Sequence, residues 1–383
     1  TNLPKPPGPS SGKPFTDTLV DLAIGHFEVR NGIARFAEQS LPLDVRGDNL
    51  ELTLNFERAE ERYRGLIAAQ RLQFSTDKIQ PVPFDFRAGV ILDRRGIQLD
   101  EGTLAYGKSE VSFTSRIENF ESPRITIPFS GNLHVSDFHR AFGLPIEPAG
   151  NVQTAGEFRY HDKVWELSGD ANAGGLAVRS GAVRVDNIAL RTSLALEQDS
   201  FVFNGLVLNA LGGEVRGRAS LREGKHLVVK TQAANLSLDR VSRASGVGPL
   251  AFNSRVSGPL ELTATLAAGG LRDLVAVAKL TLAATEGENP LSGMVDATFR
   301  QRDQSILLRE SHLELANSLI TLSGNIRDSI EVAARTTRFE DFLPALALVS
   351  ESPETLIPVQ LGANGMARFE GRLHGDWSSP ALE

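Results

Sequence analysis

From Phe15 onward the chain alternates apolar and polar residues with a period of two almost without interruption, and helical periodicity is rare. Side chains two apart on an extended strand share a face, so this spacing predicts half-buried β-strands. Clear runs are Leu50 to Phe56, Ile125 to Phe129, Leu194 to Leu196, Leu260 to Leu262 and Ile306 to Leu308. Between them stand turn signals, Asp93 to Gly96, Asn204-Gly205, Gly212-Gly213 and Arg222 to Gly224, at the roughly 8 to 12 residue spacing of consecutive antiparallel strands. Strand follows strand with no crossover helix, which excludes a βαβ fold.

Two features recur at one long period. Asp137, Asp239 and Asp341 fall 102 residues apart, and a stretch of helix-compatible sequence follows each. Asp is a good N-cap, and Gly143 and Gly246 are natural stops for the first two helices. The second feature is a strand pair of fixed pattern. Ile97, Leu99, Leu104, Ser109, Val111, Phe113, Ser115 and Ile117 form its first copy. Phe201, Phe203, Leu208, Gly213, Val215, Gly217, Ala219 and Leu221 form the second, and Ile306, Leu308, Leu313, Ser318, Ile320, Leu322, Gly324 and Ile326 the third. Matching members are 104 and then 105 residues apart, so both series imply one repeat of about 102 residues. The expected organisation is a Pro-rich linker at 1–20 and a repeating β-groove at 21–383, with repeats near 36–137, 138–239 and 240–341 and a partial one at 342–383. The opening Thr1-Asn2-Leu3-Pro4-Lys5-Pro6-Pro7-Gly8-Pro9 is expected to be a linker at which this segment was cut from a longer protein.

Several function classes lack their signatures. The chain of 383 residues has no cysteine, which excludes thiolate metal sites, catalytic cysteine and disulfides. Net charge is −7 with Lys and Arg scattered singly, so no basic stripe is set to neutralise nucleic-acid phosphates. The most apolar run, Leu343 to Val349, is far short of the roughly 20 residues that cross a bilayer. No His-Glu-x-x-His, Walker-type or Gly-x-Gly-x-x-Gly segment is present. His134 and His139 flank Asp137 at a spacing that suits surface or capping roles better than a metal, and the adjacent pairs Asp100-Glu101 and Glu60-Glu61 suit turns rather than acid–base work. The chain is therefore expected to be non-enzymatic, without cofactor or metal.

The segment Phe27-Glu28-Val29-Arg30-Asn31-Gly32-Ile33-Ala34-Arg35-Phe36, followed by Asp48-Asn49-Leu50-Glu51-Leu52, is similar to the start of AsmA/TamB superfamily domains, where a strand, an Asn-Gly turn and a strand succeed the N-terminal anchor. The three strand pairs, with forms such as Leu211-Gly212-Gly213-Glu214-Val215-Arg216-Gly217, and the closing Gly371-Arg372-Leu373-His374-Gly375-Asp376-Trp377-Ser378-Ser379-Pro380-Ala381-Leu382, resemble the recurrent module of that superfamily. The resemblance covers about Asp21 to the last residue. It implies an elongated, taco-shaped antiparallel sheet with an apolar concave face, periplasmic, and anchored to the inner membrane by a segment outside this chain. It also implies phospholipid movement between inner and outer membrane, or, as in the TamB branch, outer-membrane β-barrel assembly with a BamA/TamA-like partner.

An all-β, curled antiparallel sheet explains the alternation without a second packed layer, although a sandwich produces the same pattern. The absence of boundary linkers favours one continuous ribbon. In it, Ile97, Leu99, Val111, Phe113, Phe201, Phe203, Val215, Ile306, Leu308, Ile320 and Leu322 are the expected contacts for phospholipid acyl chains. The competing classes are a lipid-conducting groove, an assembly factor or structural spacer of the envelope, and a solenoid enzyme acting on polysaccharide, which would need clustered carboxylates and a coil of about 20 to 25 residues.

Overall fold

The computed structural model describes residues 20–38, 43–76, 79–118, 124–142, 146–162, 164–197, 200–267, 270–346, 360–376 and 379–382. The Pro-rich stretch at 1–19, Gly143 and Trp377 lie outside them. Of the described residues 75% are strand, and the all-β antiparallel class expected from the alternation is the class adopted.

The strands of the first half are β1 (His26–Glu38), β2 (Leu43–Glu57), β3 (Arg62–Thr76), β4 (Ile79–Leu92), β5 (Gly96–Tyr106), β6 (Ser109–Glu118), β7 (Arg124–His134), β8 (Glu147–Ala149), β9 (Asn151–His161) and β10 (Val164–Ser180). They continue as β11 (Val183–Glu197), β12 (Ser200–Ala210), β13 (Gly213–Arg222), β14 (His226–Ser237), β15 (Ser254–Ala267), β16 (Gly270–Ala284) and β17 (Ser292–Arg300). The last are β18 (Ser305–Glu314), β19 (Ser318–Asn325), β20 (Ser329–Thr336), β21 (Ala367–Asp376) and β22 (Ser379–Leu382).

Two compact units result. The first draws on Thr1–Phe142, Val152–Ala171 and Ala195–Gln198, the second on Gly143–Asn151, Asn172–Leu194 and Asp199–Glu383. In the first, β1 to β7 pair antiparallel in chain order and β7 goes on to pair with β9. In the second, the end of β10 pairs with β8, and β12 to β22 again pair antiparallel in chain order.

Successive pairing needs only short connections. Asp93 shows how one is built, because its Oδ1 accepts from the amides of Arg95 (2.7 Å) and Gly96 (3.0 Å) and folds the chain from β4 into β5. At the β12–β13 hairpin Leu211 and Gly212 both have positive φ (53° and 78°), the mirror-image turn that matches strand twist. Asn204-Gly205 and Asn31-Gly32, read from sequence as turns, are not turns. Both lie inside single strands, β12 and β1. The physical reason is that positive φ at Gly205 (57°) and Asn31 (52°) admits one extra residue as a β-bulge without reversing the chain.

Each of the three repeated aspartates stands in a short helical segment: α1 (Val135–Phe142), α2 (Leu238–Ala244), and a 3₁₀ turn (Phe339–Phe342) that runs into α3 (Leu343–Leu346). Gly246 ends α2 with φ of 82°, its amide bonded to the Arg243 carbonyl. None of the aspartates is the N-cap, however. Ser237 caps α2, accepting from the Arg240 amide at 3.4 Å, and the aspartates stand inside the helical segments. Their carboxylates are used elsewhere. Asp137 is 1% exposed and reaches the β5–β6 hairpin, accepting from the Lys108 amide (2.8 Å) and the Ser109 hydroxyl (2.9 Å). Asp341 makes the equivalent contacts on the β18–β19 hairpin, with the Asn317 amide (2.7 Å) and the Ser318 hydroxyl (2.8 Å). Asp239 instead holds Arg243, four residues on, at 2.9 and 3.0 Å.

This difference sets an expected contrast. Asp137→Ala strands a part-buried amide and a buried hydroxyl, a cost of about 2 to 3 kcal/mol to the local structure, whereas Asp239→Ala removes an exposed pair worth under about 0.5 kcal/mol. Hydrogen–deuterium exchange of the segment around Tyr106 to Val111 should quicken by about tenfold or more in the first variant and stay unchanged in the second. Equal behaviour would show that the crossing carboxylate does not secure the hairpin.

Candidate functional site

Residues directly opposite in an antiparallel ladder project to the same face, so register alone shows which side chains form one surface. In the second unit one row runs through Leu206, Gly217, Thr231, Leu260, Ala278, Ala297, Leu308, Gly324 and Ile330, each the register partner of the next, across nine strands from β12 to β20. Thr231 is its one polar member. Beside it Phe203, Ala219, Val229, Leu262, Ala276, Phe299 and Ile306 form a wholly apolar row. The first unit has the same construction. Phe56, Tyr63, Leu92, Ile97, Ile117 and Ile125 are successive partners across β2 to β7, and so are Ala69, Phe86, Leu104, Val111 and Gly131 across β3 to β7.

The expected lipid contacts fall on these faces. Ile97 and Leu99 lie in β5 and oppose Ile117 and Ser115, while Val111 and Phe113 lie in β6 and oppose Leu104 and Gly102. Phe201 and Phe203 in β12 oppose Leu221 and Ala219, and Val215 in β13 opposes Leu208. Leu308 in β18 opposes Gly324, Ile306 in the same strand opposes Phe299, and Ile320 and Leu322 in β19 oppose Leu313 and Ser311. The register thus brings together the members within each copy.

Keeping them together needs a parity correction. Leu99 and Leu104 are an odd number of residues apart and a regular strand would send them to opposite faces. The ladder skips one residue between Leu99 and Gly102, and again between Phe203 and Leu206 and between Leu308 and Ser311. These three bulges occupy the same position of the three copies, and each returns the second half of its strand to the apolar side. Backbone groups freed at this and neighbouring bulges find side chains. Thr192, buried in β11, donates to the Asn204 carbonyl (3.0 Å); Ser257 accepts from the Asn235 amide (2.9 Å), Asp85 from the Arg71 amide (3.0 Å) and Ser311 from the Asp296 amide (3.1 Å). No sequence motif had pointed to these four residues; the odd gap from Leu99 to Leu104 was the readable signal.

The apolar face is neither buried nor free. Along β6 and β7, Val111, Phe113, Ile117, Ile125, Ile127 and Phe129 are all half-buried, while Glu110, Ser112, Thr114, Arg116, Thr126 and Ser130 on the other side are exposed. A closed sandwich would bury the inner set. Aromatic rings lie flat along the face. Phe113 covers Gly102, where any Cβ would meet the ring at 2.5 Å, and stacks on Phe86 at 5.9 Å between centroids. Phe201 and Phe203 meet edge to face at 4.6 Å. Denser packing occurs locally: Ala233, Leu236, Val256, Leu282 and Leu291 form a buried cluster in the second unit, against which Val215, Leu238 and Val241 pack.

Ionisable groups form no comparable centre. Among the described residues no group of three or more His, Asp or Glu side chains is placed to hold a metal ion. The Nδ1 of His134 sits 2.6 Å from the Ser136 hydroxyl, beside the helix that Asp137 anchors. No family model, curated protein or solved structure matches the chain.

The bulge at Gly205 supplies a direct test of how the face is built. A Cβ there meets nothing within 4 Å, so Gly205→Ala should cost only the left-handed backbone strain, about 1 to 2 kcal/mol, and keep the register. Deleting Gly205 should turn Leu206 and Leu208 outward at about 1.5 to 3 kcal/mol each and raise binding of an apolar dye. Indistinguishable stability and dye binding for the two variants would mean that the bulge does not set the face.

Proposed function

We propose that the apolar face carries phospholipid acyl chains, as a non-catalytic segment of a bacterial envelope protein exposed to the periplasm and moving lipid between the inner and outer membranes. The observation that carries this reading is the wholly apolar row from Phe203 to Ile306 over seven strands of the second unit, every member left half-buried by its own fold. Half-buried apolar strips of this extent are unusual on a surface that meets only water. Covering one with an acyl chain removes CH₂ groups from water at about 0.8 kcal/mol each, on the order of 10 kcal/mol gross for a sixteen-carbon chain. Successive rows offer near-equal environments, so a chain held in one is not trapped there. The resemblance to the AsmA/TamB superfamily points the same way, and the assembly of outer-membrane β-barrels with a BamA/TamA-like partner is the second reading it supports.

Photocrosslinking separates the two. A probe at Phe113, Phe203 or Leu308 should capture phospholipid in cells, and a probe at Ser112, Val202 or Leu307 should not, since these are register partners of Thr103, Ser220 and Thr298 on the other face. Equal labelling of both sets, or none in a folded protein, would remove the lipid reading and leave assembly. Leu322→Asp, which sets an unpaired carboxylate against the acyl chain at a cost of several kcal/mol, should abolish co-purified phospholipid in native mass spectrometry.

A further inference from the structure

The middle copy of the repeat departs from its neighbours at one place. Where Ser109 and Ser318 give hydroxyls to the helix aspartate, the matching residue is Gly213, and Asp239 turns to Arg243 instead. A cavity of about 870 Å³ opens here, lined by the hairpin Leu211 to Glu214, by Arg184 and Asn187 of β11, by Asn235, and by Arg240 and Arg243 of α2.

Three guanidinium groups line it, those of Arg184, Arg240 and Arg243, and a fourth, Arg255, reaches the backbone of Gly212 and Asn235 at its wall; their partners are unequal. Arg184 is held by Asp186 at 2.8 Å and Arg243 by Asp239 at 2.9 Å, while the nearby Glu214 is engaged by Arg216 at 2.5 Å. Arg255 donates only to neutral acceptors, the carbonyls of Gly212 (3.0 Å) and Asn235 (3.1 Å). Neither Arg240 nor Arg255 has a carboxylate within 4.0 Å among the described residues. Both close on the same point, since a Cβ on Gly212 would stand 3.3 Å from Nη1 of Arg240 and 3.4 Å from Nη1 of Arg255. Two un-neutralised cations therefore lie within about 7 Å of each other, in a chain whose net charge is −7. Their mutual repulsion is relieved by an anion that bridges both, and guanidinium forks suit the several acceptor oxygens of a phosphoryl group.

We propose that this cavity is an anion site in which Arg240 and Arg255, over Gly212, bind a phosphoryl group, whether of free phosphate or of a phospholipid headgroup. The polar lining turns away from the apolar face, while Ala210 and Gly213, partners of the other parity, form the edge of the site. Asn209, Glu214 and Ala234, which line it, are register partners of one another and have the opposite parity to Leu208, Val215 and Ala233. It therefore does not rest on the acyl-chain reading.

The test titrates the 383-residue chain with two probes, inorganic phosphate by calorimetry and vesicles of phosphatidylglycerol in phosphatidylcholine by co-sedimentation, both at low salt. Arg240→Gln should weaken binding by about tenfold or more, Arg240→Lys should retain part of it, and Arg218→Gln, four positions along β13 from Glu214, should leave it within about twofold. Phosphate binding with this Arg240 dependence identifies a free phosphoryl ligand; dependence seen with vesicles alone identifies the headgroup. Binding of neither probe, or binding that Arg240→Gln leaves intact in a protein of unchanged circular dichroism, overturns the proposal.

Discussion

A β-strand has two faces and a fixed period, and a single extra residue exchanges them. The apolar rows of this protein survive over many strands because that exchange is made deliberately at the same position of β5, β12 and β18. Without the bulge, Leu104 and Leu208 would point to the side that carries Glu110, Ser112 and Arg216. The bulge requires a backbone group to leave the ladder, and a buried group without a partner costs about 1 to 3 kcal/mol. Thr192 beside Asn204 and Ser311 beside Asp296 supply the partner. Small hydroxyl residues, which look unremarkable among the alternating positions, thereby make the continuity of the apolar face affordable. They also bend and twist the strands that carry them, since each bulge increases local twist.

The energetic consequence is a face with an unsatisfied demand for apolar cover. Side chains such as Ile125, Ile127 and Phe129 keep part of their surface in contact with water, where a closed core would remove it. Aromatic rings reduce the demand by lying along the sheet. Phe113 over Gly102 covers backbone and stacks with Phe86, so the ring serves both as floor and as seal. At the strand ends the demand is met differently, by the short helices. Leu238 and Val241 of α2 pack on the cluster around Ala233 and Leu236, and Asp137 and Asp341 tie their helical segments to the hairpins by crossing carboxylates.

What the sequence discloses follows from which signals are local. Alternation fixes strand after strand, and the positions of Ile97, Leu99, Val111 and Phe113 on one side can be read from spacing, because register and period are both encoded nearby. The aspartates at a 102-residue period mark helices correctly, yet their role does not follow from N-cap preference. Asp137 bonds residues 28 and 29 positions away, a distance at which no local pattern operates. Asn204-Gly205 and Asn31-Gly32 carry the same dipeptide signal as a hairpin turn, since both structures need positive φ. What separates them is the partner strand, which the dipeptide does not contain. Convergence is hidden for a similar reason. Arg184, Arg240 and Arg255 look like the singly scattered cations of a mildly acidic chain until β11, α2 and β15 bring them to one hairpin.

That hairpin shows how one residue type propagates into chemistry. The turn at Leu211-Gly212 draws β13 so close to β14 that a Cβ at position 213 would stand 2.5 Å from the Ala234 carbonyl oxygen, so Gly is demanded there. Gly has no hydroxyl to offer, and the helix aspartate loses the contact that Ser109 and Ser318 supply in the flanking copies. Asp239 is left to neutralise Arg243 within its own helix, and Arg255 donates to the turn carbonyl of Gly212. A negative charge at the hairpin of the first and third copies has thus been exchanged for positive charge at the second. The exchange follows from steric closeness at a single α-carbon, with no change in the strand pairing around it.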